Sequence, residues 1–165
     1  MSEPLVDIRE ANEDGDDLAF IKTLFVEYAE TLSFHICFAA FDQELEALPG
    51  YYSRPAGNMW LARVDGSIAG CVAMRAHEGG TAEMKRLYVR PGYRGHRLGS
   101  RLTKTVLRYA KSQNYSAVRL DTMVERMREA QALYKQLGFQ RRDAYYDNPP
   151  KDLIFYERDL QTLNI

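Results

Sequence analysis

Residues 83–102 read EMKRLYVRPGYRGHRLGSRL, and the order of residue types dictates a strand, a sharp break and a helix. Ala82 to Val89 is rich in strand formers, and Pro91 and Gly92 end the run. From Leu98 onward Leu102, Val106, Leu107 and Ala110 recur at helical spacing. The helix opens on Arg94-Gly95-His96-Arg97-Leu98-Gly99-Ser100, where several backbone N–H groups lack an intrahelical acceptor and point into one small space. Gly95 and Gly99 let the backbone approach a ligand closely, while Arg94, His96 and Arg97 add positive charge at the rim. Such a space favours phosphate oxygens, and its geometry suits a diphosphate. The spacing fits neither the G-x-x-x-x-G-K-[ST] loop of nucleoside triphosphatases nor the G-x-G-x-x-G of dinucleotide sites, so another diphosphate ligand is needed.

On either side of this unit the chain alternates strands and helices. Leu5 to Arg9 reads as a strand, and Leu18, Ile21, Leu24, Phe25, Tyr28 and Leu32 draw one apolar stripe down a helix from Asp17 to Leu32. A shorter helix from Phe41 to Leu48 stops at Leu48-Pro49-Gly50, and Tyr51 to Gly57 is a loop. Met59 to Val64 and Ser67 to Met74 form a hairpin about Asp65-Gly66. Ser116 to Asp121 is a buried strand, Arg126 to Leu137 a helix ended by Gly138, and Phe139 to Tyr145 pairs with Leu153 to Arg158. No repeat, linker or low-complexity tract divides the chain, so residues 1–165 are expected to form one α+β domain.

Composition narrows the function classes. With 45% apolar and 27% charged residues the chain has the balance of a soluble folded protein. Its 22 basic and 23 acidic residues leave a net charge of -1, which gives no overall attraction to nucleic acid or an anionic membrane. Cys37 and Cys71 form no C-x-x-C and sit in apolar surroundings, as buried small hydrophobes do. No basic, apolar leader opens the chain, and a cytoplasmic location is expected.

The quoted segment resembles the central motif of the GCN5-related N-acetyltransferase (GNAT) superfamily, R/Q-x-x-G-x-G/A after a strand. EAQALYKQLGF at residues 129–139 resembles the second signature of that superfamily, A-x-x-L-Y-x-x-x-G-F, at a typical distance from the first. ELEALPGYYSRPAG at 44–57 and AYYDNPPKDLIFYERDL at 144–160 look like one bacterial, small-acceptor-type subgroup, so the likeness covers nearly the whole chain. It implies a central, mostly antiparallel twisted sheet of about seven strands with a splayed parallel pair, flanked by about four helices. It also implies acetyl-coenzyme A (acetyl-CoA) as cosubstrate, without a metal, and transfer of the acetyl group to a primary amine.

By that resemblance the cofactor contacts fall on Leu87, Tyr88, Val89, Arg94, Gly95, His96, Arg97, Leu98, Gly99 and Ser100. Leu87 and Val89 would pair their backbone with the pantetheine arm, as one strand adds to another. The family's gap between parallel strands would lie between Ala82 to Val89 and Ser116 to Asp121. Two positions depart from the pattern. Arg97 stands where glycine is usual, and the turn is kept if its φ is negative and its side chain points outward. Met127 replaces an asparagine that contacts the cofactor in many relatives, and that contact is not carried over.

Direct attack on a thioester needs a neutral amine, a stabilised oxyanion and a protonated leaving sulfur. Glu83 occupies the position of the general base in some histone-modifying relatives, and a regular strand would place it on one face with Lys85, Leu87 and Val89. A plain ion pair is the other reading of Glu83, with Glu44, Asp121 and Glu125 as substitute bases. A bulge near Leu87 or Tyr88 would free a backbone donor for the oxyanion. Tyr134 falls on the signature tyrosine that protonates the departing thiolate in relatives.

Phe34, His35, Phe38, Phe41, Tyr51, Tyr52, Tyr145 and Tyr146 are candidates to line an acceptor pocket, or are ordinary core. His35 and His77 have no second ligand at metal-binding spacing. Leu153, Ile154, Phe155 and Tyr156 serve either core or a homodimer interface. Two alternatives remain beside the enzyme: an acyl-CoA binding or sensing module without turnover, and a structural domain whose glycines serve turns alone.

Overall fold

The computed structural model describes residues 2–32, 38–123 and 128–164. Cys37, Phe34, His35, Glu125 and Met127, all singled out by sequence, lie outside the described residues. The chain runs β1 (Val6–Glu10), α1 (Gly15–Leu32), α2 (Phe38–Ala47), β2 (Asn58–Val64), β3 (Ser67–His77), β4 (Thr81–Val89), α3 (Leu98–Ser112), β5 (Ala117–Met123), α4 (Arg128–Gln136), β6 (Gln140–Arg142) and β7 (Leu153–Asp159). The strands form one sheet in the order β1-β2-β3-β4-β5-β7-β6. Every neighbour pair is antiparallel except β4 and β5. This is the single mixed domain expected. Among the described residues no helix is long and apolar enough to cross a membrane.

Local chemistry explains the elements. Asp65 and Gly66 both take positive φ, 49° and 84°, the conformation whose twist suits a two-residue hairpin between β2 and β3. Asp16 and Asp17 lie in the first turn of α1, where a negative charge complements the helix dipole, and Asp17 also accepts the Asn12 amide at 2.9 Å. Gly138, at φ 87°, stops α4.

The sheet buries a different cluster on each face. On one side Leu98, Leu102, Val106 and Ala110 of α3 and Tyr134 of α4 pack on Trp60, Val72, Met74, Met84, Val118 and Leu120. On the other, Ile21, Leu24 and Phe25 of α1 and Phe41 of α2 cover Met59, Leu61, Cys71, Ala73 and Tyr88. Removing the Leu102 side chain beyond Cβ from the first cluster would cost about 2–5 kcal/mol.

Two features of the sheet build the site. First, β4 is bulged: Cys71 faces Tyr88 but Ala73 faces Lys85, so β4 spends one extra residue, and Arg86 absorbs it at φ 62°. Of the two readings the sequence left open for this strand, the bulge near Leu87 is the one found. Ala82, Met84, Leu87 and Val89 meet the α3 face, whereas Tyr88 meets the α1 face. Glu83 and Lys85, alternating with Ala82 and Met84, share the α1 face, so they do not share one with Leu87 and Val89. Second, β4 and β5 pair only at Ala82↔Val118 and Glu83↔Arg119, then diverge.

The strand expected from Phe139 to Tyr145 is only Gln140–Arg142. The chain leaves the sheet there because Tyr145 and Tyr146 fold back over the α1 face: their hydroxyls donate to Glu83 at 2.6 Å and to Asp121 at 2.8 Å. Ile154, Phe155 and Tyr156 are buried in β7, which lies between β5 and β6, so this run is core within one chain.

Candidate active site

An open cleft of about 1030 Å³ lies where β4, the first turn of α3, α4 and the end of α1 converge. Its wall includes Leu87, Tyr88 and Val89, then Arg94, Gly95, Arg97, Leu98, Gly99 and Ser100. His96, which sequence placed in the same group, is not part of this wall. The first helical hydrogen bond runs from the Arg101 amide to the Arg97 carbonyl at 3.0 Å, so the amides of Leu98, Gly99 and Ser100 precede the ladder. Gly95 sits at φ 100°, accessible to glycine with little strain, and a Cβ on Gly99 would come within 3.3 Å of Leu133 Cδ2 on α4.

Arg97 departs from the expected negative φ. It is the N-cap of α3 at φ 57°, ψ 28°, in the left-handed region, and makes no side-chain cap hydrogen bond. Glycine meets no steric penalty there, which accounts for its prevalence in the family pattern; arginine tolerates the conformation at a local cost. Both it and Arg94 belong to the cleft wall, so two basic residues flank a turn of free amides.

Beyond Leu87, in the gap between the diverging strands, is a small space of about 30 Å³, room for roughly one water molecule. Tyr28, Met84, Lys85, Arg86, Leu87, Leu120, Asp121 and Tyr134 surround it. Tyr134 is 3% exposed, and its hydroxyl has no hydrogen-bond partner among the described residues. Burial, reinforced by the charge of Asp121 and by Tyr28 and Tyr156, raises its pKa far above the ordinary 10.0, so the phenol keeps its proton at neutral pH. Tyr28, across this space, is pushed up to about 12, again chiefly by burial.

On the far side of the gap a third cavity, about 250 Å³, is bounded by Tyr28, Phe41, Glu44, Lys85, Arg86, Asp121 and Tyr146, among others. Arg86 is clamped here: Nε and Nη2 donate to the two carboxylate oxygens of Glu44 at 3.0 and 2.9 Å. The Tyr28 and Phe41 rings lie 6.0 and 5.5 Å from its guanidinium carbon. Tyr52 is core, and its hydroxyl donates to Glu44 at 3.1 Å. Tyr51 is 69% exposed and contributes nothing to the cavity wall.

Glu83 is 1% exposed and engaged in an ion pair, the alternative reading of this residue. Arg75, its cross-strand partner, donates at 2.8 Å and Tyr145 at 2.6 Å. Burial alone would raise its pKa, but Lys85, Tyr145 and Arg75 together outweigh it and the net shift is downward. Its side chain borders none of the three cavities. Asp121, by contrast, borders the two inner cavities and accepts one hydrogen bond, from Tyr146. Cys71 is buried with its thiol against the Arg86 carbonyl at 3.4 Å, and burial pushes its pKa far up, so it is no nucleophile. Among the described residues no three His, Cys, Asp or Glu side chains gather as a metal site.

Sequence reasoning missed the α1 and α4 walls. Tyr28, Thr31, Leu32, Leu133 and Gln136 border the cleft. Tyr28 was legible only as one member of an apolar stripe, with nothing in the sequence to set it apart from core.

The sequence profile of the Acetyltransferase (GNAT) family matches residues 19–139. An uncharacterized N-acetyltransferase of Schizosaccharomyces pombe is 37% identical over 146 residues, 87% of this chain and 89% of that protein. N-acetylaspartate synthetase of Mus musculus is 37% identical over 123 residues, 72% of this chain but only 41% of the longer synthetase. An acetyltransferase from Streptococcus agalactiae superposes with TM-score 0.75 at 23% identity, covering 93% of this chain and 98% of that one. A putative acetyltransferase from Salmonella typhimurium, solved with acetyl-CoA, gives TM-score 0.71 at 20% identity over 97% and 96%. The free amides at the head of α3, the parted strands beside it and these likenesses agree that the chain belongs to the GNAT acetyltransferase family and is an acetyl-CoA-dependent N-acyltransferase.

Proposed function

We propose that the protein acetylates a primary amine by direct attack within a ternary complex, with acetyl-CoA in the open cleft and the amine in the cavity beyond the strand gap. The observation that carries the reading is the continuity of walls. Leu87 and Tyr28 border both the cleft and the gap, and Lys85, Arg86, Asp121 and Tyr28 border both the gap and the inner cavity. A thioester entering from one side and an amine from the other meet beside Tyr134.

The cleft residues fit a coenzyme with a diphosphate. Leu98, Gly99 and Ser100 offer amides and Arg94 and Arg97 offer charge, while the edge of β4 left unpaired by β5 offers backbone groups to an extended pantetheine arm. The coenzyme supplies an activated acetyl carbonyl: the amine nitrogen forms the C–N bond, the C–S bond breaks, and the products are an amide and a free thiol.

The chain's own residues move the protons. An aliphatic ammonium, with pKa about 10, must lose a proton before it attacks, and Asp121 is placed to accept it and pass it to water. Glu83, the base expected from position alone, has its carboxylate oxygens committed to Arg75 and Tyr145; it acts on the site through the field it sets around Lys85. Tyr134 donates to the departing sulfur and regains the second proton that the attacking nitrogen sheds as the amide forms. The bulge at Arg86 leaves the strand near Leu87 with a donor outside the β3 ladder, suited to the developing oxyanion. Binding without turnover is the less favoured alternative, because the relatives matched over most of the chain are N-acetyltransferases.

Thiol release measured over a panel of amines tests the reading. Tyr134→Phe should lower kcat by about a hundredfold while acetyl-CoA affinity stays within a factor of two. Unchanged kcat would remove Tyr134 from the chemistry.

A further inference from the structure

The inner cavity carries four charged side chains, Lys85, Arg86, Glu44 and Asp121. Two of them cancel: Arg86 and Glu44 hold each other by paired hydrogen bonds and are 14% and 13% exposed. The other two form no such pair. Lys85 has no hydrogen-bond or ion-pair partner among the described residues. Glu83, two residues before it in the strand, feels the charge of Lys85 but makes its hydrogen bonds to Arg75 and Tyr145, so the ammonium of Lys85 keeps all its donors. Asp121 receives a neutral hydroxyl from Tyr146 and has no ion-pair partner among the described residues.

The topology sets these two charges on either side of the same opening. The last pair of the parallel ladder is Glu83↔Arg119. Lys85 and Asp121 each come two residues later, on β4 and β5, and therefore project from the same face across the mouth of the gap. A cation and an anion so placed, in a cavity of only about 250 Å³ walled by Tyr28, Phe41 and Tyr146, complement a small molecule that itself carries both signs.

Resting on the function proposed above, we propose that the acceptor is a small free amino acid, its ammonium held by Asp121 and its carboxylate by Lys85. Asp121 and Lys85 both border the gap as well as the inner cavity, so a molecule held between them lies beside the space that Tyr134 lines, with its nitrogen on Asp121, the base of the proposed mechanism. It disfavours polyamines and aminoglycosides, whose second cation would meet Lys85, and peptide N-termini, whose first carbonyl is an uncharged amide too weak to neutralise the lysine. Acetylation by this route joins the acceptor nitrogen to the acetyl carbon, breaks the thioester, returns a proton to solvent through Asp121 and leaves the carboxylate untouched.

The test compares free L-amino acids with their own carboxamides as acceptors, by thiol release, alongside acetyl-CoA binding by melting temperature. Free acids should exceed their carboxamides in kcat/KM by about tenfold or more. Lys85→Met should raise KM for the free acids about tenfold and largely erase the preference, with the acetyl-CoA shift unchanged, and Lys85→Arg should restore part of it. Equal use of acids and carboxamides, use of neither, or a Lys85→Met variant that keeps the preference would overturn the acceptor class, even with acetyl-CoA bound. Absence of any acetyl-CoA shift would instead bring down the cofactor reading on which it rests.

Discussion

Two of the three guanidinium nitrogens of Arg86, Nε and Nη2, grip both carboxylate oxygens of Glu44, at 3.0 and 2.9 Å, across 42 residues of sequence. Arg86 is the residue that absorbs the β4 bulge in a left-handed conformation, so α2 holds the strand that borders both the open cleft and the inner cavity. Glu44→Gln should destabilise the protein by about 2–4 kcal/mol, because the arginine left behind is largely buried without a counter-charge. Urea unfolding of the two proteins measures this directly. A loss below about 0.5 kcal/mol would mean that the bulge stands without the clamp.

Arg97 holds the N-cap of α3 at a positive φ with no capping hydrogen bond to offset the strain. Arg97→Gly should therefore raise stability, by up to about 1 kcal/mol, since relief of the left-handed conformation outweighs the added freedom of the unfolded chain. The same change should weaken acetyl-CoA binding several-fold at low salt, and less at high salt, because it removes a cation from the cleft rim. Calorimetric titration at two salt concentrations, with a melting curve, separates the two effects.

Glu83 sets an acid limit on stability. Its pKa in the folded protein lies below the 4.5 of a free glutamate side chain. The stabilisation it brings is complete above that value and is lost as pH falls through the folded pKa. Glu83→Gln should thus lower the melting temperature at pH 7, and the gap from the parent should narrow as pH falls below 4.5. Glu27 and Glu157, whose pKa values are also lowered, by pairing with Arg90 and with Arg119 and Arg142 respectively, make the parent itself less stable in that range. A gap that stays constant with pH would show that Glu83 is not ionised in the folded state.

Much of this architecture could be read from local sequence. The hairpin was visible in Asp65-Gly66, the sharp turn before α3 in the glycines around Arg97, and the parted strands followed from the family pattern. What escaped reading depended on contacts distant in sequence. Arg86 shows no sign in the sequence of its left-handed turn, and its side chain is held by Glu44 from helix α2. That Tyr145 leaves its expected strand to reach Glu83 has no local sign either. Periodicity counts faces along a regular strand, and one bulge moved Leu87 and Val89 to the face opposite Lys85.

The central claim is that free amides at the head of α3 hold a diphosphate and so place the thioester beside Tyr134. The most direct test is the melting temperature with acetyl-CoA against S-acetylpantetheine, which keeps the thioester and lacks the diphosphate, at equal concentration. The account predicts a rise for acetyl-CoA corresponding to about 2.7 kcal/mol at a hundred times its Kd, and little or none for the truncated thioester. Equal shifts for the two, or none for acetyl-CoA, would contradict it.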